Sequence, residues 1–250
     1  MNHQFRSRLL GGELLVGTMV SQASAEIAEI LASVGFDWLF VDAEHSPMSR
    51  AGMQRVLQGA GPATPCLVRI SASEETSIRD ALDIGAAGII APRVNSAEHA
   101  AQVVRFAKYA PIGNRGVGVA RALGYGLRVE EYLNKANEET AVVLQAEHIE
   151  AVENIEEIVQ VAGVDAVFVG PYDLSASLDR LGEVEHPQVM AAVDQVAQVC
   201  RQANIPLGAF GVSAAAVEPY IERGYRLIVA GIDMMMLGFA AKELLSQIKT

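Results

Sequence analysis

Lysine is almost missing from this chain: 250 residues carry only Lys108, Lys135, Lys242 and Lys249, against fifteen arginines. All four read as lying on helical stretches, and none ends an apolar run, so no desolvated amine is on offer for a Schiff base. Any carbonyl chemistry must then draw on a metal. Cysteine is scarce too. Cys66 and Cys200 share no metal-type spacing and cannot form a disulfide framework, so both read as reduced thiols, Cys66 inside an apolar strand. Positive charge is in deficit, with a net charge of −11 and a pI near 4.9. This argues against a nucleic-acid backbone or an anionic membrane as partner, while local arginines still admit a small anionic substrate. No apolar run reaches the roughly 20 residues of a membrane span. Glu13 interrupts the N-terminal segment and no small-residue cleavage site follows, so no signal peptide is read and a cytoplasmic location is expected. Finally, no G-x-G-x-x-G follows the first strand-like run, so the usual dinucleotide site is missing.

What the chain does have is apolar mass, 51% of its residues, with no linker or change of composition to divide it. One domain over 1–250 is expected. A helical stretch, a glycine and then a strand recur in ILASVGFDWLFVD, ALDIGAAGIIAP, IVQVAGVDAVFVG and IERGYRLIVAG. Glycine closes a helix in the left-handed conformation, and a continuous Val/Ile/Leu/Phe run suits a strand covered on both faces. Eight such strands are read at 14–20, 37–42, 66–70, 86–91, 141–146, 164–169, 206–210 and 226–230. Helical spacing between them, as in 25–34, 97–110, 129–138 and 189–203, predicts an α/β fold, a single (β/α)₈ TIM barrel. An open doubly wound sheet is the alternative. Two connections are long: 111–128, with five glycines and three arginines, and 171–187. Both are expected to shape specificity at the C-terminal face of the strands.

Four apolar runs end in groups that can bind a metal, move a proton or hold an anion: Asp42 and His45, Arg69, Glu147, and Asp173. A buried strand gains nothing from a charge at its end, so these ends are expected to converge on one polar pocket. Glu147 and Asp173 follow adjacent strands. Either a hard divalent cation lies between them, with open positions for a chelating substrate, or each pairs with an arginine. His45 is read as an acid/base oriented by Asp42, against a plain hydrogen-bonded turn residue. Arg69 must face an anion, either Glu44 or a substrate oxygen. Arg93 is read as a structural ion pair, His148 as exposed or supporting, and His3, His99 and His186 have no comparable setting.

The segments GFDWLFVDAEH, LVRI, QAE and GPYDLS, in this order across nearly the whole chain, resemble the HpcH/HpaI aldolase family, the class II pyruvate aldolases. The resemblance implies a barrel whose last helix, about 234–248, packs on a neighbouring subunit in a homo-hexamer built from dimers. It implies Glu147 and Asp173 as ligands of Mg²⁺, Mn²⁺ or Co²⁺, His45 with Asp42 as acid/base, and Arg69 on the enolate oxygen. It places Gln145 at the pyruvate site, with the pyruvate carboxylate at the turn of Gly170, Pro171, Tyr172 and Asp173. Tyr172 departs from the family pattern, where a small residue is usual, and so do Arg93 and the G-Y-G of 124–126.

The expected reaction is reversible aldol cleavage of a 4-hydroxy-2-oxo acid to pyruvate and an aldehyde, a carbon–carbon lyase with small-molecule partners. A metal-dependent oxaloacetate-type decarboxylase would share the enolate. A citrate-lyase-like or malyl-CoA-lyase-like activity lacks a basic adenine-nucleotide surface, and a non-catalytic barrel is the remaining alternative.

Overall fold

The computed structural model of the protein describes residues 4–249, so His3 lies outside the described residues. The chain runs α1 (Phe5–Leu10), β1 (Leu15–Val20), α2 (Ala25–Val34), β2 (Trp38–Asp42), α3 (Arg50–Ala60), β3 (Cys66–Arg69), α4 (Glu75–Asp83) and β4 (Gly88–Ala91). It continues through α5 (Ala97–Ala107), a 3-10 segment (Arg121–Gly126), α6 (Val129–Glu139), β5 (Ala141–Ala146), α7 (Ile149–Glu153), α8 (Ile155–Ile158) and β6 (Ala166–Val169). It ends with α9 (Pro171–Ser177), α10 (Pro187–Gln202), β7 (Leu207–Gly211), α11 (Ala214–Glu222), β8 (Leu227–Ile232) and α12 (Asp233–Ile248). Each strand pairs in parallel with the next, and β8 returns to β1 through Leu15↔Leu227 and Val16↔Ile228. That closure decides the (β/α)₈ barrel over the open sheet, which would leave two edges unpaired.

Local signals explain the elements. Ser24, Ser49, Ser96 and Ser213 each accept a first-turn backbone N–H, starting α2, α3, α5 and α11. The repeated glycines Gly35, Gly85, Gly163 and Gly224 all take positive φ, between 89° and 102°, turning the chain back toward the next strand. Alternation within the strands splits the core in two. Leu39, Val41, Val68, Ile89 and Val167 face the helices, while Trp38, Phe40, Leu67, Ile90 and Phe168 fill the barrel. Gly17 leaves room for the Trp38 ring, which a Cβ there would meet at 2.7 Å.

One element was not foreseen. Helix α1 plugs the N-terminal end of the barrel with Phe5 and Leu9, the Phe5 ring lying 5.8 Å from that of Trp38. Arg6 Nε pins the plug to buried Asp165 at 2.8 Å, and Asp165 also accepts the Val142 N–H. Burying two such side chains contributes roughly 1.5–3 kcal/mol each. The N-terminal end of the barrel interior, its floor, is therefore filled by apolar side chains, and the acids and arginine of the strand ends lie at the C-terminal end.

The connection 111–128 lies at that floor, contrary to the expectation that it shapes the C-terminal face. It follows a helix and precedes β5, and such αβ connections run on the N-terminal side. Arg115 pairs with Asp83 and stacks over Tyr109, and Arg121 donates to the carbonyl of Ile84, just before β4. Element bounds differ by a few residues elsewhere: β6 begins at Ala166 and β4 at Gly88, while α5 stops at Ala107. Lys108 follows it in extended backbone and turns its Nζ to the carbonyls of Asn137 and Thr140. Helix α12 is tied down at its start, where Asp233 accepts the Ser21 N–H and hydroxyl and the Gln22 N–H. Beyond that anchor Met234, Leu237, Phe239, Leu244, Leu245 and Ile248 are exposed.

Candidate active site

The strand ends converge as the apolar runs foretold. Register sets Asp42 of β2 beside Arg69 of β3, and Arg69 Nε donates to Asp42 Oδ1 at 2.9 Å. The same nitrogen lies 3.3 Å from Glu44 Oε2, and the guanidinium sits 5.2 Å over the Phe40 ring. Arg69 is only 9% exposed, a burial that needs such partners. Both of its Nη groups remain without a hydrogen bond among the described residues.

Asp42 does not orient the His45 ring. Its Oδ1 accepts the backbone N–H groups of Glu44 (3.1 Å) and His45 (3.3 Å), and its Oδ2 accepts the Ser46 hydroxyl. Those bonds turn the chain out of β2 and swing the imidazole outward, with the side chain 66% exposed. The acid near the ring is Glu44, at 3.6 Å from Nε2. Asp42 ends β2 and Glu44 lies in the turn after it, and both carboxylates reach Arg69 Nε.

Glu147, 5% exposed, takes the Arg93 backbone N–H on Oε1 and the Gln145 side-chain N–H on Oε2, both at 2.8 Å. Arg93 has φ 54°, a left-handed backbone that aims its N–H at the carboxylate. Gly170 closes the other side: a Cβ there would meet Glu147 Cβ at 2.9 Å. Two buried atoms, Gln145 Oε1 and Glu44 Oε2, have no hydrogen-bond partner.

Electrostatics sorts the acids. Burial disfavours ionised Asp42, but the Arg69 guanidinium and the Glu44 and His45 N–H groups outweigh it and hold the carboxyl low. Burial raises Glu44, which Arg69 and His45 only partly offset. Glu147 is pushed up to about 7 by burial and then by the charges of Glu44 and Asp173, against the Arg93 N–H and Arg69. Glu147, felt by the charges of Glu44 and Asp173 and bonded to Gln145 with its unpartnered Oε1, fits a hard cation better than a pairing with arginine. Among the described residues no group of three or more His, Cys, Asp or Glu is placed to hold a metal ion. A cation held by Glu147 and Asp173 would keep open positions.

A cavity of about 320 Å³ lies over these groups, lined by Glu44, His45, Arg93, Glu147, His148 and Asp173 among others. Asp173 sits in the first turn of α9, opened by Gly170 and Pro171. Tyr172, 64% exposed, does not line the cavity. His148 caps α7 by accepting the Glu150 N–H on Nδ1. Arg93 is no structural ion pair: its guanidinium has no partner among the described residues, and only its backbone serves Glu147. A larger cavity, about 620 Å³, opens at the floor around Arg121, Tyr125 and Arg128. It holds no pair of carboxylates, and chemistry needing opposed acids belongs to the smaller one. Lys108 is also at the floor. Burial pushes its pKa down to about 8, a value suited to a Schiff base, but it lies beside Thr140, at the opposite end of β5 from Glu147.

The sequence profile described as HpcH/HpaI aldolase/citrate lyase matches residues 16–238. The chain belongs to this family. A 2-keto-3-deoxy-L-rhamnonate aldolase of Klebsiella pneumoniae subsp. pneumoniae is 37% identical over 253 residues, 100% of this chain and 94% of the relative. A 4-hydroxy-2-oxo-heptane-1,7-dioate aldolase of Shigella sonnei is 36% identical over 98% of this chain and 94% of its own length. The crystal structure of an HpcH/HpaI aldolase/citrate lyase family protein from Burkholderia cenocepacia J2315 superposes with a TM-score of 0.95 at 36% identity, covering 100% of both chains. An HpcH/HpaI aldolase from Desulfitobacterium hafniense DCB-2 gives 0.90 at 33% identity, covering 98% of this chain and 96% of that one. Glu44 entered the sequence reading only as a possible partner of Arg69, and the structure places it near the His45 ring and in the cavity lining as well.

Proposed function

We propose that this member of the HpcH/HpaI family is a metal-dependent aldolase that reversibly cleaves a 4-hydroxy-2-oxo acid to pyruvate and an aldehyde. The observation that carries the reading is the buried Glu147, raised to about 7 beside Glu44 and Asp173, at a strand mouth that offers no lysine. A divalent cation (Mg²⁺, Mn²⁺ or Co²⁺) held there by Glu147 and Asp173 would act as a Lewis acid toward the charge of a pyruvate enolate.

The chain's own residues do the rest. The free Nη groups of Arg69 donate to the 2-oxo oxygen, where charge grows as the bond breaks, and Asp42 and Glu44 hold the guanidinium in place. Gln145, fixed by Glu147, lines the oxo-acid site, and its unpartnered Oε1 is free for the incoming molecule. The substrate carboxylate sits at the turn of Gly170, Pro171, Tyr172 and Asp173, where first-turn amides lack helical partners. His45, its Nε2 turned toward Glu44 and so fixed as donor, removes the C4 hydroxyl proton through Nδ1. The C3–C4 electron pair then passes into the enolate, the C4 oxygen becomes the aldehyde carbonyl, and a proton returned to C3 completes pyruvate.

The six exposed apolar side chains of α12 support a homo-oligomer in which this helix packs on a neighbour, a hexamer built from dimers in the family pattern. A cytoplasmic setting suits two buried free thiols. No helix among the described residues is long and apolar enough to cross a membrane. The test is pyruvate release from a 4-hydroxy-2-oxo acid, compared with turnover of oxaloacetate, after EDTA treatment and again after metal return. Cleavage that survives metal removal, or turnover of oxaloacetate alone, overturns the reading.

A further inference from the structure

We infer that Arg93 is a specificity residue that binds a terminal anionic group, carboxylate or phosphate, on the aldehyde half of the substrate. The inference rests on the aldolase reading and names which aldehydes the site accepts. Arg93 follows β4, and its backbone is fixed twice, by a left-handed φ of 54° and by the N–H bond to Glu147 Oε1 at 2.8 Å. The side chain is therefore carried at the edge of the oxo-acid site while contributing nothing to it. Its guanidinium makes no hydrogen bond or ion pair among the described residues, although Glu44, Glu147 and Asp173 line the same cavity.

Arg93 is exposed, and its guanidinium is left to solvent although three acids line the same cavity. The other arginine of the mouth, Arg69, has its Nε engaged by Asp42 and Glu44, and its Nη groups are given to the 2-oxo oxygen in the aldolase reading. Arg93 is thus the one cavity-lining arginine without a partner among the described residues, and a guanidinium fork matches a carboxylate or phosphate. Placement indicates which end of the substrate it meets. His45 and Arg93 line one cavity from the turns after β2 and β4, on either side of the strand that carries Arg69. Because His45 and Arg93 line the same cavity, a substrate with its C4 hydroxyl at His45 brings its remaining carbons into a space that Arg93 also lines.

The experiment uses the metal-loaded enzyme and pyruvate with three aldehydes: succinic semialdehyde, glyceraldehyde 3-phosphate and the neutral butanal. Arg93→Gln keeps the backbone bond to Glu147, so the fold and the acid cluster are not the target. The ratio of KM for an anionic aldehyde to KM for butanal should rise roughly 10–100-fold, the range of one charge-assisted hydrogen-bonded contact. Arg93→Lys should recover part of it. A rise confined to succinic semialdehyde assigns a carboxylate, and one confined to glyceraldehyde 3-phosphate assigns a phosphate. Equal effects on charged and neutral aldehydes, or none, overturn the assignment. Exchange of the pyruvate C3 protons with solvent deuterium, which needs no aldehyde, is measured on the wild type alongside. Its absence overturns the aldolase reading, whereas exchange with an unmoved KM ratio overturns only the role of Arg93.

Discussion

Replacing Glu147 by glutamine should stabilise the metal-free protein and silence it at the same time. The folded carboxyl titrates near 7, above its ordinary value of 4.5, because burial and the charges of Glu44 and Asp173 oppose its ionisation. A group raised in this way contributes fully below its unfolded pKa and loses that contribution as pH climbs through the folded one. Between about pH 4.5 and 8 the metal-free wild type should therefore give up roughly 3 kcal/mol through this residue alone, at about 1.4 kcal/mol per pH unit. Glutamine keeps the local bonds. Its carbonyl can accept the Arg93 N–H, and a flip of Gln145 turns the unpartnered Oε1 toward the new amide. In EDTA at pH 8, Glu147→Gln should melt about 6–12 °C above wild type, and the gap should close toward pH 5. Saturating Mg²⁺ should narrow the gap at pH 8, since it stabilises only the protein that binds it, by about 2.7 kcal/mol at a hundred times Kd. Melting curves across pH, with and without EDTA, read all of this. Parallel pH profiles for the two proteins would refute the reasoning, because Glu147 would then be an ordinary carboxylate.

Arg69→Ala should lower kcat by roughly 10²-fold or more, and Arg69→Lys should rescue it poorly, because a point charge cannot both engage Asp42 and leave a fork free; a near-normal lysine variant reduces Arg69 to a structural ion pair. Since Asp42 holds Arg69, Asp42→Ala and Arg69→Ala should be non-additive in kcat, and full additivity would separate them. His45→Ala should cost aldol turnover on the order of 10²–10⁴-fold while sparing metal affinity, with oxaloacetate decarboxylation much less affected because no hydroxyl proton is removed; equal losses in both reactions would move the acid/base elsewhere. Removing residues 234–250 should yield smaller species by light scattering, and an unchanged mass would mean that the exposed face of α12 is not an interface.

The barrel was legible because its signal repeats. Gly35, Gly85, Gly163 and Gly224 punctuate helix and strand in the same way, and runs such as WLFVD are apolar on both faces. The plug was not, since Phe5 and Leu9 are two apolar residues in a short polar segment with no periodic pattern. The ends of the strands were legible for Asp42, Arg69 and Glu147 because charges after apolar runs need a shared solvent-free reason. Sequence proximity failed where a turn intervened: it joined His45 to Asp42, but the backbone N–H groups of the turn claim Asp42 and leave Glu44 nearest the ring. It also sent the glycine-rich connection 111–128 to the wrong end of the barrel, although its position after a helix and before a strand already determined the side. Arg93 shows the remaining limit, because whether an arginine is paired depends on distances that spacing along the chain does not carry.

The most direct test of the central claim is exchange of the pyruvate C3 protons with solvent deuterium, followed by NMR on the protein alone. The exchange reports enolate formation without any aldehyde or C4 hydroxyl. Metal-loaded wild type should exchange rapidly, while EDTA-treated protein, Glu147→Gln and Asp173→Asn should not, and returned Mg²⁺ or Mn²⁺ should rescue only the wild type. Undiminished exchange in the metal-free protein, or in the Glu147→Gln variant, would contradict the account.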